Sequence, residues 1–177
     1  MCPDPYLSHA DSSFWAYSLR FYDDPKTQEA CLDAQNRLGA DVNLILYVFF
    51  KAQKGFRLNR NALQQANENV ISWRTEVIHP LRQIRRKLKA HRYNLPENNQ
   101  KTVRIEVKSL ELKSEKFQQE YLESLILEGH ICEPKQAAWD NLSAYLNILG
   151  VDMSDPIVAI LLRQFDALHN VTQPQAN

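Results

Sequence analysis

The sequence predicts an all-α chain, a compact bundle of seven or eight helices around one central hydrophobic helix at about residues 42–54. Three observations carry this. Only four glycines occur in 177 residues, at 39, 55, 129 and 150, too few for a fold of many tightly turned strands. Capping residues and prolines stand just ahead of apolar-periodic segments, at Asp24-Pro25, Asp41, Asn59 and Ser154-Asp155-Pro156. From Val42 to Phe50 only Asn43 is polar, and a helix apolar on every side must be packed on every side.

Taken in order, Asp11-Ser12-Ser13 offers caps to a helix over 14–22, with Phe14, Tyr17 and Phe21 on one face. Pro25 opens a second helix that turns Ala30, Cys31, Ala34 and Leu38 inward and ends at Gly39. Asp41 caps the central helix, which Gly55 closes. Asn59 caps the next, where Leu63, Ala66, Val70, Trp73 and Val77 follow helical spacing. Pro80 lacks an amide hydrogen, so a kink or short break is expected near His79. Beyond it Leu81, Ile84 and Leu88 continue the apolar stripe, while Arg82, Arg85, Arg86 and Lys89 face away.

Residues 93–100, YNLPENNQ, read as a loop that breaks the domain into two subdomains. Residues 103–108, VRIEVK, alternate with period two, but Val103, Val107, Leu110, Phe117, Tyr121 and Leu125 make a longer stripe. That stripe fits one helix ending at Glu128, before Gly129. Helices from Pro134 to Leu149 and from Pro156 onward complete the chain. The organisation is an N-terminal arm at 1–11, one helical domain at 12–170 and a disordered tail at 171–177.

Twenty-one basic and 21 acidic side chains cancel, which argues against nucleic-acid binding by the whole surface but not by a local patch. Three widely spaced cysteines fit free thiols in a reducing compartment. The first residues show neither signal-peptide regions nor a lipidation motif, and no apolar run nears the ~20 residues that span a bilayer. A cytoplasmic location, with no membrane partner, is the expectation.

The charge is unevenly placed. Residues 73–92 carry seven Lys/Arg against one Glu. Arg82, Arg85, Arg86 and Lys89 recur at i, i+3, i+4, i+7 and share a helix face suited to phosphates or to an acidic protein segment, with Trp73 at its edge. The internal alternative is pairing with an antiparallel helix carrying Glu106, Glu111, Glu115, Glu120, Glu123 and Glu128. A second constellation is a pocket lined by Trp15, Tyr22, Trp73 and Trp139, with Arg82 or Arg85 as anion anchor and Asp41 and Asn43 as its polar groups. Asn43, second in a buried helix, needs hydrogen-bond partners. His79 with Glu76 is more simply a helix-end histidine than an acid–base pair, and Cys31 an inert structural thiol. His130 and Cys132 lack a second matched ligand pair, and no HExxH, Walker loop or GxSxG occurs. No catalytic residue, metal or cofactor is therefore assigned.

The segments FWAYSLRFY (14–22), EACLDAQNRLGADVNLILYVFF (29–50) and Trp73 with Pro80-Leu81-Arg82, Arg85 and Arg86 resemble a family of small uncharacterised proteobacterial proteins. The resemblance runs over about residues 12–127 and implies an all-helical domain of unknown function, with no activity or site attached.

The leading functional expectation is a non-enzymatic regulatory or adaptor protein engaging an acidic partner through Trp73, Arg82, Arg85, Arg86 and Lys89. One alternative is a nucleic-acid accessory using the same face. The other is a small-molecule-binding protein or enzyme with its pocket near Trp15, Asn43 and Trp73.

Overall fold

A computed structural model describes residues 13–172 of the chain. The cap residues Asp11 and Ser12, the arm at 1–11 and the tail beyond 172 lie outside the described residues. Eight α-helical segments are present among them, α1 (Ser13–Phe21), α2 (Pro25–Arg37), α3 (Val42–Gln53), α4 (Arg60–Trp73), α5 (His79–Ala90), α6 (Glu97–Ser124), α7 (Pro134–Ile148) and α8 (Pro156–Thr172). Val171 and Thr172, the first two residues assigned to the tail, are the last residues of α8.

The caps act as the sequence indicates. Asp24 accepts from the Thr27 amide at 2.9 Å, Asp41 from Asn43 at 2.9 Å and Asn59 from Ala62 at 2.7 Å. Helix α3 is the centre of the fold, with every residue from Asn43 to Phe50 buried. Helices α1, α2, α6, α7 and α8 pack around it, α7 most extensively. Its aromatic residues tie the outer helices in. Phe50 stacks on Phe14 at 4.9 Å, and Phe49 lies between Phe21 at 5.0 Å and Phe165 at 5.6 Å. Phe49 thus joins α1, α3 and α8, and Phe49→Ala should cost about 3–5 kcal/mol in a urea unfolding series. A midpoint equal to that of the parent chain would show that the three helices do not share one core.

The sequence reading did not anticipate a small antiparallel ladder, β1 (Phe56–Leu58) against β2 (Gly129–Ile131), with Arg57 opposite His130. Gly129 is therefore a strand residue, not the stop of a helix, and α6 ends earlier than expected, at Ser124. A Cβ at Gly129 would lie 2.3 Å from the Arg57 carbonyl oxygen and 2.7 Å from the Phe56 ring, so only glycine lets the strands close here. Gly55, at φ +67°, turns the chain from α3 into the ladder. The buried Asn141 fastens it, accepting from the Leu58 amide at 2.8 Å and donating to the carbonyls of Val48 and Phe56.

Two further expectations change. The loop after α5 spans only residues 91–96 and is the turn of a helical hairpin, because α6 already begins at Glu97 and packs along α5. The interruption near Pro80 takes the form of a local change of helix type. Residues Arg74–Ile78 form a π-turn, and α4, this turn and α5 follow one another without a non-helical residue. The wider turn accommodates a proline that has no amide hydrogen and would crowd the carbonyl four residues back.

The π-turn has a geometric consequence. One inserted residue rotates everything after it by about 100°. The inward positions therefore move from Val77 and Ile84 to Ile78, Arg82 and Arg85, while Leu81 and Leu88 stay half-buried. Ile78 is buried, whereas Ile84 is 46% exposed, and α5 has no buried residue at all. On α6 the inward positions are Glu111, Ser114, Gln118, Gln119 and Leu122, while Val103, Leu110, Phe117 and Tyr121 of the expected apolar stripe are exposed. The seam of the hairpin is polar and ionic where the sequence pattern pointed to an apolar one.

Candidate functional site

The shifted register turns two arginines of α5 into the molecule. Arg82 Nε donates to Glu111 Oε1 at 3.0 Å and Arg82 Nη2 to Glu115 Oε1 at 2.6 Å. Arg85 grips both oxygens of Glu111, through Nε to Oε2 and through Nη2 to Oε1. Burial alone would raise the Glu111 carboxyl, but the hydrogen bonds and charges of Arg85 and Arg82 outweigh it and hold Glu111 below the usual glutamate range. Glu115 goes the other way. Burial pushes it up, Arg82 offsets this only in part, and the charges of Glu111 and Asp41 add to the rise.

One turn deeper lies a second polar cluster. The Asp41 carboxylate caps α3, receives Gln118 Nε2 at 2.6 Å and pairs with Arg74 at 3.2 Å. Asn43 bridges two glutamines, donating from Nδ2 to Gln118 Oε1 at 3.1 Å and accepting at Oδ1 from Gln119 Nε2 at 2.8 Å. These bonds are the partners that a polar residue in a buried helix requires. Asp41 is thus more than a cap.

Between these clusters and α1 opens a cleft of about 430 Å³. Trp15, Leu19, Tyr22, Leu46 and Ile78 supply its apolar lining, and Asp41, Asn43, Arg74, Arg82, Glu115 and Gln119 its polar groups. Burial raises the Tyr22 phenol to about 12, so its hydroxyl keeps its proton. His79 also lines the cleft, and burial together with the Arg82 and Arg74 charges lowers it, so the imidazole is neutral at pH 7. The rim carries Arg86, which donates to the Asn36 amide oxygen at 3.1 Å, and the exposed Lys108. Among the described residues neither of these two cations has a carboxylate partner.

The structure therefore gathers four of the expected pocket residues, Trp15, Tyr22, Asp41 and Asn43, into one cleft. Trp73 stands apart. It is 40% exposed, donates from Nε1 to the Ser114 carbonyl at 3.0 Å and borders a different depression with Val70, Phe117 and Tyr121. Of the four basic residues expected to face away together, Arg82 and Arg85 turn inward, and only Arg86 and Lys89 remain exposed. Sequence reasoning missed Ser18, Arg74, Gln118 and Gln119. A usable signal lay in α6, where polar residues at 111, 114 and 118 repeat with the 3–4 spacing of a buried seam.

Burial pushes the Cys31 thiol up to about 12, as suits a thiol inside a packed helix pair. Among the described residues no group of three His, Cys, Asp or Glu side chains is placed to hold a metal ion, and no helix is long and apolar enough to cross a membrane.

Fold and cleft define a small all-α protein with an arginine-rimmed, partly aromatic cleft. The chain belongs to the family described as a protein of unknown function (DUF2390), whose model matches residues 13–122. No curated protein and no solved structure matches the chain. The matched span contains every cleft-lining residue, from Trp15 to Gln119, and excludes β2, α7 and α8.

Proposed function

We propose that the chain is a small-molecule-binding protein, cytoplasmic, whose ligand is an organic anion with an apolar or aromatic body. The cleft is the observation that carries this reading. Its volume lies within the roughly 300–1,000 Å³ of small-molecule sites, and it combines an apolar lining with a few convergent polar groups. Arg86 and Lys108 supply positive charge at the mouth that no described carboxylate neutralises. The test is ligand-observed NMR with a panel of aromatic carboxylates. Binding should appear and should weaken at least tenfold in Arg86→Glu/Lys108→Glu, since each charge-assisted contact is worth about 1.5–3 kcal/mol. A panel without binders, or binding indifferent to both reversals, would overturn the reading.

A second reading, the acidic-partner or nucleic-acid surface, rests on Lys87, Lys89 and Arg92, which are exposed near the tip of the hairpin. It has lost Arg82 and Arg85 to Glu111 and Glu115. Capture of polyglutamate or duplex DNA that disappears in Lys87→Glu/Lys89→Glu would favour it over the cleft.

A further inference from the structure

The polar cluster behind the cleft has a direction. It starts at Asp41, whose carboxylate, paired with Arg74, accepts hydrogen bonds. Gln118 must therefore present its NH₂ group to Asp41, as it does at 2.6 Å. That leaves Gln118 Oε1 as an acceptor, and Asn43 must answer with Nδ2. Asn43 Oδ1 is then an acceptor, and Gln119 must answer with Nε2. Each amide is fixed by the one before it, so the orientation of Gln119 follows from the charge on Asp41 and not from a choice between two equivalent rotamers. The relay ends on an acceptor, Gln119 Oε1, to which no described group donates. Gln119 is 2% exposed and lines the cleft.

A second unpaired polar atom lies on α1. Helix α1 runs antiparallel to α6, because Ser13 and the Phe14 amide bond Glu123 at one end while Tyr22 feels the Glu115 charge at the other. This register sets Ser18 across from Gln119. Ser18 Oγ is buried, also lines the cleft and has no hydrogen-bond partner. Buried polar atoms without partners are rare because each costs about 1–3 kcal/mol. Two of them among the residues lining one cleft point to a ligand group that pairs with both.

Resting on the small-molecule reading above, we propose that the cleft selects anions bearing a hydrogen-bond donor at the end remote from the charge. The anion sits at Arg86 and Lys108. The far end carries a neutral hydroxyl, amine or amide N–H that donates to Gln119 Oε1, and the Ser18 hydroxyl pairs with the same group. The donor is neutral because the cations Arg74, Arg82, Arg85, Arg86 and Lys108 outnumber the carboxylates Asp41, Glu111 and Glu115 in the lining. An ether or methyl group at that end leaves Gln119 Oε1 unpaired.

The test uses three matched probes, 3-phenylpropionates carrying a 4-hydroxyl, a 4-methoxy or a 4-methyl group. Binding to the full chain is followed by calorimetry and by the Trp15 indole resonance. The hydroxyl probe should bind at least tenfold more tightly than the other two. Gln119→Met should bring the three within about threefold of one another, and Ser18→Ala should narrow the gap without touching the amide relay. The ranking by the unmutated chain decides the matter even if Gln119→Met does not fold. Equal binding of all three probes overturns the donor inference and leaves the small-molecule reading standing. Absence of binding by all three, with no binder in the wider panel of carboxylates, overturns both.

Discussion

Arg82→Glu/Arg85→Glu is expected to unfold the hairpin of α5 and α6 and to abolish the cleft with it. Both arginines serve Glu111, and Arg82 also serves Glu115. Reversal would place four carboxylates where two guanidinium groups now separate two of them. Removing one partner of a buried ion pair costs about 3–5 kcal/mol, and reversal adds repulsion, so more than about 5 kcal/mol is expected against a total stability of ~5–15 kcal/mol. Helix α5 has no buried residue with which to resist. Hydrogen exchange of the α5 amides, together with the thermal midpoint, reads the effect. The control is Arg82→Met/Arg85→Met/Glu111→Met/Glu115→Met, which removes charges and partners together and should be far milder, because apolar replacement of a whole buried ion cluster is often neutral or stabilising. A double reversal with unchanged exchange and midpoint would mean that the arginines swing into solvent at little cost. The basic face would then be open to an acidic partner.

The same residues show where the sequence was readable and where it was not. Local chemistry was legible. Asp24-Pro25, Asp41 and Asn59 each act through an interaction of a few residues, a side-chain oxygen on a nearby amide, and each cap is found. The central helix was legible because a run without a polar face has one solution, burial on all sides. Pro80 announced an irregularity but not its kind. An unshifted helix would have kept Ile84 in phase with Val77, whereas the π-turn moved the phase by one residue, left Ile84 exposed and brought Arg82 and Arg85 inward beside Leu81. Periodicity cannot register that exchange, because the count of residues per turn is the quantity that changes. The β1–β2 ladder escaped for a different reason. Its strands are three residues each and lie 70 positions apart, so neither has a local pattern long enough to read. For the cleft, Trp15, Tyr22, Asp41 and Asn43 were named from the sequence, but the glutamines that complete it were not. Gln118 and Gln119 look like solvated helix residues until Asn43 and Asp41 are brought against them from α3, about 75 residues away.

Asp41 is where these long-range bonds converge, and Asp41→Ala should show it. As a cap alone the side chain would be worth about 0.5–2 kcal/mol. The carboxylate also faces Arg74, itself only 14% exposed, and terminates the amide relay at Gln118. Its loss strands a largely buried guanidinium, an amide donor and the first turn of α3 at once. A cost of about 4–6 kcal/mol is expected, combining the ~3–5 kcal/mol of a broken buried pair with about 1 kcal/mol for the cap. Asp41→Asn separates the contributions. It keeps an oxygen for the Asn43 amide, so the cap survives, but it removes the charge opposite Arg74 and the group that forces Gln118 to donate. The relay then loses its direction, and Gln119 is free to present NH₂ in place of Oε1. Urea unfolding should place Asp41→Asn between the parent chain and Asp41→Ala. An Asp41→Ala cost of 2 kcal/mol or less would reduce the residue to a cap and detach the Gln119 acceptor from it. A cost in the expected range, with Asp41→Asn intermediate, would show that one carboxylate both holds α3 against α6 and sets the hydrogen-bonding polarity of the cleft wall.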